Sequence, residues 1–111
     1  MTVTAKCLVE VTQLTNAETS VYTATKVTAI LDKVTATNVS GSAATITCHV
    51  VASGGTAGST NAVVNGKTLQ ANETYGFPEL VGQVLNQGDF LSVLAGTGAA
   101  LNFRVSGREV S

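Results

Sequence analysis

Residues 53–60 read SGGTAGST, eight small residues set between two apolar segments, and whether they grip an anion or turn the chain decides what the rest can build. A phosphate cradle of the P-loop kind needs backbone N–H groups curled round the anion at the mouth of a helix, a Lys for the outer phosphates and a hydroxyl for magnesium. No Lys closes this run. The residues after it, Asn61-Ala62-Val63-Val64-Asn65-Gly66-Lys67, are β-branched and broken by an Asn-Gly turn signal, so no helix starts there and Lys67 comes too late. The run reads as a flexible, mobile connection between strands.

Strand periodicity surrounds it on both sides. Upstream, in Ala44–Val51, Ile46, Cys48 and Val50 alternate with Thr45, Thr47 and His49. At the N-terminus Val3, Ala5, Cys7, Val9 and Val11 share one face, while Thr4, Lys6, Glu10 and Thr12 share the other, with Leu8 as the apolar exception; this predicts a half-buried strand. Thr15-Asn16-Ala17-Glu18 has the form of a helix capping box, but Val21, Tyr22, Thr23, Thr25, Val27 and Thr28 are so β-branched and aromatic that a turn followed by a strand is preferred. In Val27–Val39, Ile30, Val34 and Ala36 share a register on which Asp32 intrudes. Either a bulge near Leu31-Asp32 shifts that register or Asp32 lies at an open edge.

Downstream of the small-residue run, Asn65-Gly66 reads as a turn and Pro78 as an element boundary. Val84-Leu85 entering Asn86-Gln87-Gly88-Asp89 and leaving through Phe90, Leu91, Val93 and Leu94 predicts a hairpin in which Asp89 caps the turn. A last strand alternates Leu101, Phe103 and Val105 with Asn102, Arg104 and Ser106. The expected fold is all-β: a single antiparallel β-sandwich over residues 1–111, jelly-roll or immunoglobulin-like, with about seven to nine strands. Residues 1–12 form a strand or arm able to engage a neighbour.

Composition narrows the function classes. The 111 residues are 44% hydrophobic and 12% charged, with a net charge of −1 and no Trp. Six basic and seven acidic residues spread along the chain give no footprint for nucleic acid or an anionic membrane. No apolar run approaches the roughly 20 residues that span a bilayer. The N-terminus MTVTAKCLVEVTQL alternates in polarity and shows no signal-peptide pattern, so no export signal is read there.

No constellation for chemistry stands out. His49 is the only histidine, and a zinc site completed by Cys7, Cys48 and a carboxylate has no ligand-type spacing. His49 is read instead as a strand residue facing solvent or a subunit neighbour. No G-x-S-x-G elbow supports a Ser-His-Asp hydrolase, and Asp32, Glu73, Glu79 and Asp89 are scattered singly. Cys7 and Cys48 are taken as small buried apolar residues. The sequons at Asn38 and Asn72 carry little weight without an export signal. No catalytic residue, metal, cofactor or small-molecule substrate is expected.

The stretches VTATNVSGSAATITCHVVASGG, LNQGDFLSV and ALNFRVSGREV, spanning Val34–Val110, together resemble small β-sandwich virion proteins of tailed bacteriophages. The length and composition are similar to those of the decoration protein of epsilon-type short-tailed phages. The resemblance implies a capsid decoration, cement or staple protein on the outside of the shell, binding the major capsid protein as a dimer or trimer and strengthening contacts between capsomers. Such a role gains strength from many weak contacts multiplied by a lattice. The contact candidates are the N-terminal strand from Thr2 and Val3, the loop residues Ser53, Gly54, Gly55 and Thr56, and the cluster Tyr75, Phe77 and Pro78. The alternative is a tail, fibre or baseplate protein that binds carbohydrate on a host surface, a reading weakened by the scarcity of aromatic platforms.

Overall fold

The computed structural model describes residues 1–111 as nine strands and no helix. They are β1 (Val3–Gln13), β2 (Thr19–Thr23), β3 (Thr28–Asn38), β4 (Ala44–Val51), β5 (Ala62–Leu69), β6 (Thr74–Gly76), β7 (Val84–Leu85), β8 (Phe90–Ala95) and β9 (Leu101–Val110). One antiparallel sheet, sheet A, has the order β1-β9-β3-β6, with β7 also paired to β3; the other, sheet B, has the order β2-β8-β4-β5. β6 and β7 lie along the same side of β3, opposite Thr35–Thr37 and Ala29–Ile30 respectively, so together they act as one interrupted edge strand.

Counting that edge once leaves eight strands, wound as a jelly roll. The chain is a single long hairpin rolled up on itself: β1 pairs β9, β2 pairs β8, β3 pairs β6 and β7, and β4 pairs β5. The numbers of facing residues, as in Val3 with Val110, Thr19 with Val93, Ala29 with Leu85, Thr37 with Thr74 and Ile46 with Lys67, add to nearly the same value throughout, 111 to 114. The fold point is therefore close to residue 56, inside SGGTAGST. The small-residue run is a turn, and it is the tip about which the whole chain doubles back.

Between the sheets lies one core, built from Leu31, Val34 and Ala36 of β3, Ile46 and Cys48 of β4, Leu91 and Val93 of β8, and Leu101, Phe103 and Val105 of β9, with Phe77 and Leu80 from the β6–β7 connection. Phe77 meets Phe103 at 6.1 Å and Tyr75 at 4.7 Å, both edge-on, the geometry aromatic quadrupoles favour. Asn38, with no exposed surface, closes one end: its Nδ2 donates to Ser42 O (2.8 Å) and Leu69 O (3.0 Å), and its Oδ1 accepts from Ser40 N (2.9 Å) and Ser40 Oγ (2.7 Å). Its amide is fully committed to the fold and does not stand out as a glycan acceptor.

Several local readings change in three dimensions. The bulge alternative near Asp32 is the one realised, with a register shift between Leu31 and Lys33 against β9. Ala29 and Leu31 face the core before it and Val34 and Ala36 after it, so Ile30 belongs to the other face. The 86–89 turn forms, with Asp89 N donating to Asn86 O and Asp89 Oδ2 accepting from Asn86 N. It joins β7 of sheet A to β8 of sheet B, however, so the expected hairpin is a crossover between sheets. Asn65-Gly66 is not a turn either; Gly66, at φ +66°, sits inside β5, where the pairing with β4 slips. The turn out of β5 is Gln70–Glu73, closed by Glu73 N to Gln70 O, with Asn72 at φ +63°.

β1 departs furthest from its pattern. Of its alternating apolar set only Val9 is buried and Cys7 half-buried, whereas Val3 and Val11 are 53% and 60% exposed and Leu8, the exception in the pattern, is buried. Two register shifts, between Cys7 and Val9 and between Val9 and Thr12, turn the strand so that consecutive residues Leu8 and Val9 are both covered.

Candidate functional site

β1 ends one side of sheet A, with β9 on one flank and no strand on the other. Thr2 and Ser111 exchange both backbone hydrogen bonds, at 3.0 and 2.9 Å. By the alternation of antiparallel ladders, Val3, Ala5 and Cys7, in unbroken register with β9, then turn their N–H and C=O groups to the open side. Their side chains stand on the sheet face away from the core. There the facing residues are Val110 and Arg108 of β9, Thr28 and Ile30 of β3, and Val84 of β7. Val84 is 47% exposed. Arg108 is held by Asp32 from the β3 bulge, Nε to Oδ2 and Nη2 to Oδ1 both at 2.9 Å, and Lys6 by Glu109 at 3.2 Å. The result is a strip of exposed apolar side chains crossed by the ion-paired Arg108, with exposed Lys33, opposite Ser106, making no ion pair at its Cys7 end.

The other expected contact residues are dispersed. Ser53, Gly54, Gly55 and Thr56 are exposed at the tip of the roll, far along the chain path from Thr2 and Val3, but they are not a free run. Ser53 N donates to Asp89 Oδ1 (3.0 Å), Gly55 N to Ala52 O, and Asn61 ties the far side through Gly58 N and Thr56 O. A side chain at Gly88 would overlap Ser53 Oγ, so Asp89 and Gly88 together dock the loop on the 86–89 turn. Of the aromatic cluster, Phe77 is fully buried and cannot contact a partner; Tyr75 is half-buried under Lys67 with its hydroxyl donating to Glu79, and Pro78 is exposed.

Two arrangements escaped the sequence reading. On the outer face of sheet B, Ser92 Oγ donates to Glu18 Oε2 at 2.6 Å and His49 Nδ1 lies 3.2 Å from the same oxygen. His49 is 6% exposed, so of the two settings expected for it, solvent or a subunit neighbour, the solvent one does not hold. Residues 18, 49 and 92 come from three parts of the chain, and only the β4–β8 register, which sets His49 opposite Ser92, brings them together. The serine donates its hydrogen bond to the carboxylate and not to the imidazole, so the trio lacks the serine–imidazole contact of a Ser-His-Asp triad. The trio serves as a polar clasp holding the 14–18 segment to the sheet.

The second is a shallow groove of about 240 Å³ on the outer face of sheet A, lined by Val11, Thr35, Thr37, Asn102 and Arg104. Thr35 faces Arg104 and Thr37 faces Asn102 across β3 and β9. The Arg104 guanidinium lies 3.9 Å from Glu10, beyond hydrogen-bond distance. The largest concavity on the molecule is thus smaller than the roughly 300–1,000 Å³ of typical small-molecule sites. No group of three or more His, Cys, Asp or Glu side chains has metal-holding geometry. Cys7 and Cys48 lie in different sheets and are both free; burial, and then the charges of Glu18 and Glu79, push the Cys48 thiol up to about 12.

Comparison of the chain with protein-family models, with curated proteins and with solved structures gave no match.

Proposed function

We propose that this chain is a non-enzymatic structural protein acting through protein–protein contact, of the capsid decoration type: it sits on the outside of a bacteriophage shell, binds the major capsid protein and reinforces contacts between capsomers. The observation that carries the reading is the β1 margin, an open strand edge beside the exposed apolar side chains Val3 and Val84, with Lys6 and Arg108 held in ion pairs of the chain itself. A surface of that kind suits close apposition to protein better than capture of a small solute. The jelly roll supports the reading as an analogy of architecture alone, since viral capsid and lectin domains use it. Assembly would take place in the bacterial cytoplasm and the mature location would be the capsid exterior.

The groove of Thr35, Thr37, Asn102 and Arg104 favours a second reading, a tail, fibre or baseplate protein that binds host-surface carbohydrate, because hydroxyl, amide and guanidinium groups converge there. Copy number separates the two. Quantitative mass spectrometry of purified particles from the source should find this chain at a ratio near that of the shell subunit. A few copies per particle would move it to the tail, and absence from particles would refute both.

A further inference from the structure

Jelly rolls have four sheet edges, and here three are guarded against pairing with another chain. The β6–β7 edge is interrupted by residues 77–83, where Phe77 N and Gly82 N bond back to β3. β5 carries the Gly66 slip and the charge of Lys67. β2 is five residues long with a register shift between Ser20 and Tyr22. Bulges, charges and short strands are the ordinary devices that keep sheet edges from associating. β1 has its bulges only after Cys7. From Val3 to Cys7 it is regular, without proline, and its one charge, Lys6, is engaged by Glu109.

We infer that this segment is a self-association edge: β1 pairs antiparallel with β1 of a second copy about a two-fold axis through Ala5, making one continuous sheet. The inference does not depend on the virion reading.

The occupant follows from self-complementarity in register and charge. Residues with outward backbone groups must face each other, so the numbers of facing residues add to an even value between odd positions. A sum of ten sets Val3 against Cys7 of the second copy, Ala5 against Ala5, and Cys7 against Val3. That is three pairs each exchanging two bonds, six in all. A sum of eight or twelve uses fewer positions of the regular segment. In this register Lys6 faces Thr4 of the other copy, and Thr4 lies beside Glu109 in its own sheet. Each lysine therefore comes within two strand spacings, about 10 Å, of the second copy's Glu109, and no like charges face each other. A two-fold axis perpendicular to the sheet also keeps the outer faces of both copies on one side, where Val3, Ala5 and Cys7 of the two copies meet across the seam. This is the isologous geometry of the commonest homodimers.

Sedimentation equilibrium of the full chain tests this. The contact lies at the small end of specific interfaces, below about 1,200 Å², so a concentration-dependent monomer–dimer equilibrium is expected. Ala5→Pro removes only an N–H that points outward and so spares the intramolecular ladder; it should raise the dimer Kd at least about tenfold, or about 1.4 kcal/mol. In a Cys7→Ser background, Ala5→Cys should cross-link into a covalent dimer on oxidation, because facing strand residues lie about 5.5 Å apart at Cα, within disulfide range. Val11→Cys, beyond the bulges, should not. A chain that stays monomeric up to about 1 mM, where even contacts of roughly 4 kcal/mol register, would overturn the inference. So would a dimer indifferent to Ala5→Pro, or equal cross-linking at both positions. If Ala5→Pro fails to fold by circular dichroism, the Ala5→Cys and Val11→Cys pair decides alone.

Discussion

Replacing Asn38 with Asp changes one NH₂ group to an oxygen and leaves the shape alone, which makes it a sharp probe of the closed end of the sandwich. The amide gives hydrogens to Ser42 O and Leu69 O at 2.8 and 3.0 Å in a site with no exposed surface. A carboxylate would set a negative oxygen against both carbonyls, so the folded state must hold the acid neutral. At pH 7, protonating a carboxyl whose ordinary pKa is about 3.9 costs about 4 kcal/mol. The one O–H then serves one carbonyl and orphans the other, for about 1–3 kcal/mol more. The total, about 5–7 kcal/mol, is comparable with the whole stability of a small domain, about 5–15 kcal/mol. The sign with pH is fixed by linkage. The variant's folded-state pKa is raised above the unfolded value, so the protonation cost is absent below about pH 4 and grows by about 1.4 kcal/mol per unit as pH rises. Urea unfolding of Asn38→Asp beside the parent should show a deficit of about 1–3 kcal/mol near pH 3.5 and a largely unfolded variant at pH 7. An equal deficit at the two pH values, or one under about 1 kcal/mol at pH 7, would refute the assignment of both carbonyls to this amide.

Other outcomes follow from the same geometry. Gly107→Ala would drive a methyl into Ile30 O and to 2.8 Å from Leu8 Cδ1 in the strand between β1 and β3, so thermal unfolding should report a loss at or above the usual overpacking range of about 1–3 kcal/mol; an unchanged midpoint would contradict the packing. Tyr22 donates its hydroxyl to Glu109, which with help from Lys6 holds that carboxyl below its ordinary range. Tyr22→Phe should therefore cost about 1 kcal/mol at pH 7, and because a depressed carboxyl stabilises only above its folded pKa, the gap should close as pH falls below about 4, the same sense as Asn38→Asp but smaller. Iodoacetamide should leave Cys48 unmodified at pH 8 until urea unfolds the chain, since its thiol is buried and pushed up to about 12; rapid labelling of Cys48 in the native state would place it outside the core.

The local character of the chain was legible at particular places. The Ile46/Cys48 alternation, the Leu101/Phe103/Val105 alternation and the Gly88-Asp89 turn all appear where the pattern put them, because each depends on residues within a few positions of one another. Even the Asp32 intrusion marked a real bulge. The Val84–Leu94 hairpin was misread because a tight turn serves equally well between neighbouring strands or between sheets, and only the partners of the flanking strands distinguish the two. Asn65-Gly66 was misread for a related reason: a glycine at positive φ makes a turn when both flanks reverse and a bulge when they continue.

The candidate surface divides along the same line. Apolar alternation in β1 was visible in the sequence, but alternation reports that one face is apolar, not what covers it. The sequence by itself determined the all-β class, the positions of most strands and the role of SGGTAGST as a turn, since these rest on side-chain period and backbone preference. Only the tertiary structure decided that this turn is the axis of a jelly roll, that Glu18, His49 and Ser92 meet, that Phe77 is core, and that Val3 and Ala5 lie on an open edge. Those outcomes depend on which strands become neighbours, and strand neighbours are chosen by the joint burial of residues far apart in the chain, a quantity no local window contains.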